Sequence, residues 1–516
     1  MRAHVVVLET AGNQAYIFGS NKRRENVGAS ELITWVETRW LADALGGGGE
    51  EHRFRDHGVE VMAANAGGVT LLVETADEGR RIVAEVTGRA LQDAPGLDVC
   101  GVVGDEFELT SAAALADAVE KARGALLGVR MARPGPDLRF LGLPIAARCT
   151  SSGLPAARIV QAPKPKDADE RPTEPRSAPS LAKLDVFPHA LARLADDMGV
   201  DERKLAGVVE HLNDRAEWVA VVHADGNAMG KVFREFPQLM TGDDDPFGYL
   251  ERFRELSAGV DKCTRTAFRR TVEELDGEVP KLLPLVLGGD DVTVVCDGGL
   301  ALPFAERYLA NFAAESAAHR HVGQRMREAG YELERLGACA GVAITKRNYP
   351  FHSAADLAEE LTGEAKRVKE ELDAQHCALS FHVLQESAFT DLGRLRREAQ
   401  VGEDVRLTAQ PYVVGDGAVR HRHWDDLKAR VRALVAEREG ERVIPSVQAH
   451  ELRSGLFHGR DVADARFGML QTWLGADDVV GLACDEGSLF WTDDEGIART
   501  GLLDAMNAAP FLPKEA

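Results

Sequence analysis

LPLVLGGDDVTVV, from Leu283 to Val295, is the stretch around which the chain is organised. The apolar runs on either side of its glycines have the length and the β-branched content of two short strands. Gly288 and Gly289 supply the conformational freedom that a tight turn between these strands needs. Asp290 and Asp291 then lie at the tip of the predicted hairpin. Two adjacent carboxylates beside a buried strand favour a hard divalent cation as partner, although Gly and Asp are also ordinary turn residues.

A second stretch, WVAVVHADGNAMGKVF from Trp218 to Phe233, reads as an apolar strand that ends at Asp225. If this strand lies beside the hairpin, Asp225 joins the two other carboxylates at one end of a sheet. Three carboxylates, with the carbonyl of Gly226 as a further oxygen ligand, can hold two Mg²⁺ or Mn²⁺ ions that orient phosphates. His223 lies on the same strand two residues earlier, and we interpret it as a packed or hydrogen-bonded neighbour.

The element order around the hairpin occurs twice in the chain. Residues 216–390 read as β-α-β-β-α-β followed by a further helix and strand, and residues 1–150 show the same first six elements. The hairpin of the first copy reads NAGGVT, without the two carboxylates, and its first strand ends in Glu9 and Thr10. The sequence therefore predicts an α+β fold with two ferredoxin-like palm domains, of which only the second carries the metal site.

The remaining segments are a predicted linker, a connector and a tail. Residues 151–182 are rich in Pro and charge and predict an exposed linker, and residues 183–215 predict a helical connector. Residues 391–516 predict a helical C-terminal domain whose charged runs are solvated helix faces. Ser20 to Arg24 form a small basic loop that either receives phosphate or is simply exposed.

Composition limits the classes of partner. The formal net charge of −22 disfavours a broad nucleic-acid-coating surface but leaves room for a local basic site. The seven cysteines are scattered singly without a CxxC pair, which disfavours a Cys-rich zinc site and indicates reduced thiols. The sequence shows neither a signal peptide nor a membrane-spanning apolar run. We therefore expect a cytoplasmic protein without a membrane partner.

The second copy resembles the catalytic palm of the large polymerase-like subunit of type III CRISPR effector complexes and, more distantly, the GGDEF cyclases. The resemblance rests on DGNAMG at Asp225, on LGGDD at 287–291 and on GVAITKRNYPFHSAADLAEELTGEAK at 341–366. In the first copy, QAYIFGSNKRRENVGASELI at 14–33 is similar to the opening of that family's degenerate first palm. RCTSSGLPA at 148–156 is similar to a stretch associated with a zinc ribbon, but it retains only Cys149, so no zinc is expected.

The resemblance implies synthesis of cyclic oligonucleotide messengers, such as cyclic oligoadenylate, from ATP in antiviral defence. It implies that the metal ligands and catalytic residues are Asp225, Asp290 and Asp291, with Gly226 as an additional ligand. The expected nucleotide-binding residues are Gly226, Asn227, Gly288, Gly289, Lys366 and Ser30. Lys366 would meet the triphosphate, although its position alone favours a solvent-facing lysine. Asn227 replaces the second acidic residue of the usual DGD motif.

Three functions remain open at this point. The first is a cyclic oligonucleotide synthase, which could work as a shortened, stand-alone relative because we see no HD nuclease motif. The second is a scaffold subunit of an RNA-guided type III complex with a vestigial palm. The third is a GGDEF-like nucleotide cyclase with a smaller product. Possible partners are accordingly type III CRISPR subunits with guide and target RNA, or a second copy of the chain.

Overall fold

The computed structural model describes residues 1–47, 53–161, 172–239, 245–275, 280–385, 391–417, 419–485 and 487–512. Helices and sheets are mixed throughout these residues, which confirms the predicted α+β class. Within the described residues, no helix combines the length and the apolarity needed to cross a membrane.

The first palm is an antiparallel sheet in the ferredoxin-like order β2-β3-β1-β4. Its strands are β1 (Arg2–Ala11), β2 (Val59–Asn65), β3 (Gly68–Val73) and β4 (Asp98–Val103), and β5 (Phe107–Glu108) pairs with the start of β1. Its helices are α1 (Asn13–Phe18), α2 (Arg23–Thr34), α3 (Arg39–Ala44), α4 (Phe54–His57), α5 (Ala76–Asp93) and α6 (Ala112–Met131), followed by a 3₁₀ turn at Pro136–Arg139. The predicted β-α-β-β-α-β order is confirmed.

The segment predicted as an unstructured linker is structured at both described ends. Arg158–Gln161 (β6) and Thr173–Arg176 (β7) pair as an antiparallel hairpin, while residues 162–171 of the predicted linker lie outside the described residues. Helix α7 (Ala178–Met198) starts inside the predicted linker, and α8 (Glu202–Asp214) follows. The linker prediction is therefore wrong for these ends, because buried contacts of Arg176 with Glu25 of α2 stabilise a segment whose composition is polar.

Helix α7 packs across α2, so the connector forms part of the first palm's helical layer. A Cβ added to Gly28 in α2 would lie 1.8 Å from the carbonyl oxygen of Lys183 in α7. Gly28 thus marks a close crossing of the two helices, where a larger residue would collide with the backbone of α7.

The second palm repeats the first and extends it. Its strands are β8 (Trp218–Gly226), β9 (Leu282–Gly288), β10 (Asp291–Asp297), β11 (Ala338–Lys346) and β12 (Cys377–Val383). The order is β12-β11-β8-β10-β9, and Tyr412–Val414 adds a strand next to β12. Its helices are α9 (Met229–Arg234), α10 (Pro246–Glu274), α11 (Gly298–Ala318), α12 (Arg325–Glu328), α13 (Phe351–Ala365) and α14 (Val368–Glu371), with a 3₁₀ turn at Phe236–Leu239 and a π-helical turn at Arg320–Gln324.

Helix α13 covers the sheet face opposite to α11. A Cβ on Gly341 of β11 would lie 2.0 Å from the carbonyl oxygen of Ala358, so α13 packs directly on this face. Gly341 is the cross-strand partner of His223, and cross-strand partners point to the same side. His223 and Asp225 are two positions apart on β8, so their side chains point to the same face. Both side chains therefore face α13.

The C-terminal domain contains a small sheet in addition to the predicted helices. Its helices are α15 (Leu392–Glu398), α16 (Trp424–Val435), α17 (Ser446–Leu456), α18 (Arg460–Leu474), α19 (Ala476–Val479) and α20 (Leu502–Ala508), with 3₁₀ turns at Val480–Leu482 and Ala509–Phe511. Strands β13 (Gln400–Val401), β14 (Val405–Arg406), β18 (Trp491–Thr492) and β19 (Ala498–Arg499) form this sheet, and β16 (Glu437–Arg438) pairs separately with β17 (Glu441–Arg442), whereas β15 (Tyr412–Val414) belongs to the second-palm sheet. The purely helical prediction is wrong because strands of two residues leave no alternating pattern to detect.

Candidate nucleotidyl-transfer site

The three carboxylates meet at one end of the second-palm sheet, as predicted. Asp225 on β8 and Asp291 on β10 are directly opposite each other in the antiparallel register. Asp290 lies in the turn between β9 and β10, and its carbonyl oxygen accepts a hydrogen bond from the Gly226 amide at 3.2 Å. Strand pairing therefore brings together residues that are 65 positions apart in the sequence.

Two glycines allow this close approach. A Cβ on Gly226 would lie 2.8 Å from both Cβ and Oδ2 of Asp290, which leaves no room for a larger residue. Gly289 adopts a left-handed φ of 61°, which suits glycine in the turn. The local backbone thus explains why glycine occupies both positions.

Helix α10 holds the turn through two residues that sequence analysis did not identify. Asp261 Oδ1 accepts a hydrogen bond from the Gly289 amide at 3.0 Å, and the Thr264 hydroxyl donates to the Gly289 carbonyl at 2.6 Å. The signal available in the sequence was a pair of polar residues three apart on a helix that also buries Ser257 and Thr271. Its partner in the turn becomes evident only from the fold.

Crowding of the three carboxylates disfavours the ionised forms of Asp290 and Asp291. Burial raises the pKa of Asp290 to about 7, and the charges of Asp225 and Asp291 add to this effect. Burial, together with the charge of Asp225, also raises the pKa of Asp291. Oδ1 of Asp291 is buried and accepts no hydrogen bond from the described residues, while 37% of the side chain remains exposed to a ligand.

Lys366 reaches this site from the end of α13. Its Nζ forms an ion pair with Oδ2 of Asp225, and 25% of its side chain is exposed. The solvent-facing interpretation of Lys366 is therefore wrong, because α13 crosses the sheet face onto which Asp225 points.

His223 is a neighbour of the site, in agreement with the sequence interpretation. Its Nδ1 lies 3.1 Å from the Thr293 hydroxyl and 3.3 Å from Oδ1 of Asp291. Burial lowers the pKa of His223, so the ring is neutral at physiological pH. It packs behind the carboxylates.

The donor set fits a hard divalent cation. Among the described residues, no group of three or more His, Cys, Asp and Glu side chains already has the arrangement of a metal centre. The buried Oδ1 of Asp291, which has only the neutral His223 ring at 3.3 Å, and the raised pKa of Asp290 nevertheless indicate that positive charge would stabilise the cluster. Oxygen ligands of this kind select Mg²⁺ or Mn²⁺ over softer metals.

Two neighbouring cavities lie between the palms, and the smaller one reaches Asp291. The smaller, of about 70 Å³, is lined by Ser30 and Gly67 of the first palm and by Gly288 and Asp291 of the second. The larger, of about 890 Å³, shares three of its lining residues, Thr34, Glu37 and Arg193. Its volume lies within the range of ligand pockets, roughly 300–1,000 Å³. The structure therefore places Ser30 across a cavity from Asp291, on the first-palm side.

The first palm keeps the geometry of the site without its carboxylates. Glu9 is opposite Gly68 in the sheet register, just as Asp225 is opposite Asp291 in the second palm. Glu9 forms an ion pair with Arg130 at 3.3 Å, which corresponds to the pair between Asp225 and Lys366. The turn residues Gly67 and Gly68 stand where the second palm has Asp290 and Asp291.

Two sequence-based candidates have structural roles. Asn227 is 1% exposed and its amide donates to the His376 carbonyl at 2.8 Å, so its side chain is not available to a nucleotide. In the loop Ser20 to Arg24, the Asn21 side chain accepts from the Phe351 amide at 2.8 Å. The Arg23 guanidinium lies 3.7 Å from the centroid of the Phe351 ring. This loop therefore joins the first palm to α13 and is not an open phosphate site.

Comparison with known proteins agrees with this architecture. Residues 218–374 match the family model described as Cas10/Cmr2, second palm domain. No curated protein shows significant sequence similarity to the chain. A Csm1-Csm4 cassette in complex with cA4 is similar in fold, with 12% identity, a TM-score of 0.52 and coverage of 98% of this chain and 70% of that chain.

Two further solved structures are more distant. A Csm1-Csm4 cassette in complex with AMPPNP has 14% identity and a TM-score of 0.42, with coverage of 73% of this chain and 54% of that chain. An apo Csm1-Csm4 cassette has 14% identity and a TM-score of 0.48, with coverage of 98% and 70%. The aligned part of the chain thus spans about half of the AMPPNP-bound relative's length. The family match identifies residues 218–374 as a second palm domain of the Cas10/Cmr2 family, and the chain as a whole shares its fold with the Csm1-Csm4 cassette bound to cA4.

Proposed function

We propose that the chain is a metal-dependent nucleotidyltransferase that makes cyclic oligonucleotides, with ATP as substrate and cyclic oligoadenylate as product. The observation that carries this proposal is the convergence of Asp225, Asp290 and Asp291 beside a cavity between the two palms. The proposed reaction is the attack of a ribose 3′-hydroxyl on the α-phosphate of a second nucleotide, with pyrophosphate as the leaving group.

The residues of the site have distinct proposed roles. Asp225, Asp290 and Asp291 hold Mg²⁺ or Mn²⁺, with the Gly226 carbonyl as a further ligand. Bound metal would supply charge neutralisation and activation of the attacking hydroxyl.

The residues around the carboxylates position the nucleotides. Gly288 and Gly289 lack side chains, so phosphates can approach the turn closely. Lys366 pairs with the triphosphate in place of Asp225 once the metals neutralise that carboxylate. Ser30 contacts the second nucleotide from the first palm.

We also propose that the chain assembles with type III CRISPR subunits. The support is that the solved structure with the shared fold is a Csm1-Csm4 cassette in complex with cA4. Guide and target RNA would then act as the activating signal, and turnover by the purified chain alone would show that this signal is dispensable.

The test is incubation with each NTP and Mg²⁺ or Mn²⁺, with products read by mass spectrometry, first for the chain alone and then with candidate subunits and RNA. We expect cyclic oligoadenylate from ATP, and its loss when Asp290 and Asp291 are both replaced by Ala. The matched control removes two adjacent exposed acids elsewhere, Asp494→Ala with Glu495→Ala, and should retain synthesis. Undiminished synthesis by the Asp290 and Asp291 double variant would refute the proposal.

The alternatives predict other products. A GGDEF-like cyclase would yield a cyclic mono- or dinucleotide. A scaffold subunit would copurify with RNA and partner subunits without any turnover.

A further inference from the structure

The C-terminal domain contains a cavity of about 340 Å³ that the palm chemistry does not use. It is formed by the end of α16, by β17, by one face of α17 and by the end of α20. Its volume lies at the lower end of the range of small-molecule pockets, about 300–1,000 Å³. A ligand of the size of one nucleotide suits this space.

The polar side of the cavity is cationic. Arg442, Ser446, His450 and Arg453 line it, and none of the described residues that line it is acidic. Ser446, His450 and Arg453 are spaced at i, i+4 and i+7, which places them on one face of α17. In a chain with 83 acidic and 61 basic residues, a cavity with two arginines and no carboxylate is a departure from the overall charge balance.

Arg453 is half-buried without a carboxylate partner among the described residues. Its NH1 donates to the side-chain oxygen of Asn507 at 3.1 Å, which is a neutral acceptor. Burial lowers the pKa of Arg453, because the guanidinium loses water without gaining a counter-charge. An anion in the cavity would supply that counter-charge.

The start of α17 adds a third source of positive potential. The helix has 11 residues, and its N-cap residue, Pro445, provides no side-chain hydrogen bond to the first turn. The first-turn amides and the helix dipole therefore favour an anion at this end, next to Ser446. The opposite wall is apolar and includes Leu434 and Met506, which suits the organic part of a ligand.

We propose that this cavity binds a nucleoside phosphate. Arg442, Arg453 and the first turn of α17 take the phosphate, because arginine forks match phosphate oxygens. The apolar wall takes the base and sugar. This site is separate from the carboxylates of the second palm and does not depend on nucleotidyl transfer.

The test is photolabelling of the full chain with 8-azidoadenosine 5′-monophosphate in EDTA, with labelled peptides mapped by mass spectrometry. We expect label within 434–453 or 500–512, competed by AMP and more weakly by inorganic phosphate. Arg442→Gln, an exposed position that leaves the core untouched, should weaken the labelling affinity by about tenfold or more. Arg453→Lys should retain part of it, because the charge stays while the fork is lost.

Two further variants give the controls. Arg420→Gln changes an exposed arginine of the same domain outside the cavity and should leave this labelling unchanged. Labelling of these peptides should also persist when Asp290 is replaced by Asn, which separates the site from the palm. Absence of label from 434–453 and 500–512, or equal labelling of Arg442→Gln and the parent chain, would overturn the proposal. Equal competition by inorganic phosphate and AMP would overturn the assignment of the apolar wall.

Discussion

Replacing Asp290 with Asn should stabilise the metal-free protein while weakening its response to metal. The pKa of Asp290 rises from 3.8 to about 7 on folding, mainly through burial and then through the charges of Asp225 and Asp291. The folded protein therefore binds this proton more tightly than the unfolded chain. Protonated Asp290 does not oppose folding, whereas ionised Asp290 does, so the penalty grows as the pH rises from near 4 to above 7.

The size of the effect follows from the pKa difference. A rise from 3.8 to about 7 corresponds to about 4 kcal/mol above pH 7, at about 1.4 kcal/mol per pH unit. Asp290 is only half-buried, so solvent screening reduces this to about 2 kcal/mol. The amide of Asn carries no charge and can donate a hydrogen bond to Asp225, so it avoids the repulsion.

The assay is urea unfolding of both proteins in EDTA at pH 8, 7 and 6. We expect Asp290→Asn to be more stable by about 2 kcal/mol at pH 8, with a smaller gap at pH 6. With 10 mM MnCl₂ the parent chain should gain stability and the variant should gain less, because ligand binding stabilises only the competent site. Parent and variant of equal stability in EDTA at pH 8 would refute the claim that the carboxylates repel one another.

Asp493→Asn is a control that should change the free energy of unfolding in the opposite direction to Asp290→Asn. Burial alone would raise the pKa of Asp493, but hydrogen bonds from Arg499 and from the Ile497 amide outweigh it and lower this pKa. The carboxylate form is therefore favoured in the folded state. Its replacement by Asn should lower the free energy of unfolding at pH 8.

Three further predictions concern the same site. Mn²⁺ affinity measured by calorimetry should fall as the pH is lowered from 8 to 6, because the metal must displace the proton of Asp290. The fall should reach up to about tenfold per pH unit below the pKa of Asp290. Equal affinity at pH 8 and pH 6 would contradict this prediction. Lys366→Ala should weaken binding of a nonhydrolysable ATP analogue by about tenfold while leaving Mn²⁺ affinity at least as high, whereas Lys366→Arg should retain most analogue binding; unchanged analogue binding by the Ala variant would remove Lys366 from the nucleotide site. Gly226→Ala should cost about 1–3 kcal/mol of stability and abolish synthesis, since its Cβ would overlap Asp290. Gly230→Ala is the control, because a Cβ there meets no described atom within 4 Å, and it should preserve both stability and synthesis.

The sequence by itself determined the features that depend on local patterns. The apolar runs around Gly288 and Gly289 predicted the hairpin, because strand length, β-branching and turn glycines act over a few residues. The repeat of strand and helix order predicted two palms, and the absence of carboxylates from NAGGVT predicted that only the second carries the site. The sequence offered the meeting of Asp225 with the hairpin only on the condition that the two strands are neighbours, and the sheet register fulfils that condition.

Only the tertiary structure decided the contacts between distant segments. Lys366 meets Asp225, 141 residues away, because α13 crosses the sheet face that Asp225 shares with His223. Asp261 holds the Gly289 amide because α10 packs beneath the turn. The Asn227 side chain is buried and donates a hydrogen bond to the His376 carbonyl, so it does not face a nucleotide. Such contacts depend on how helices pack on a sheet, which spacing along one chain does not specify.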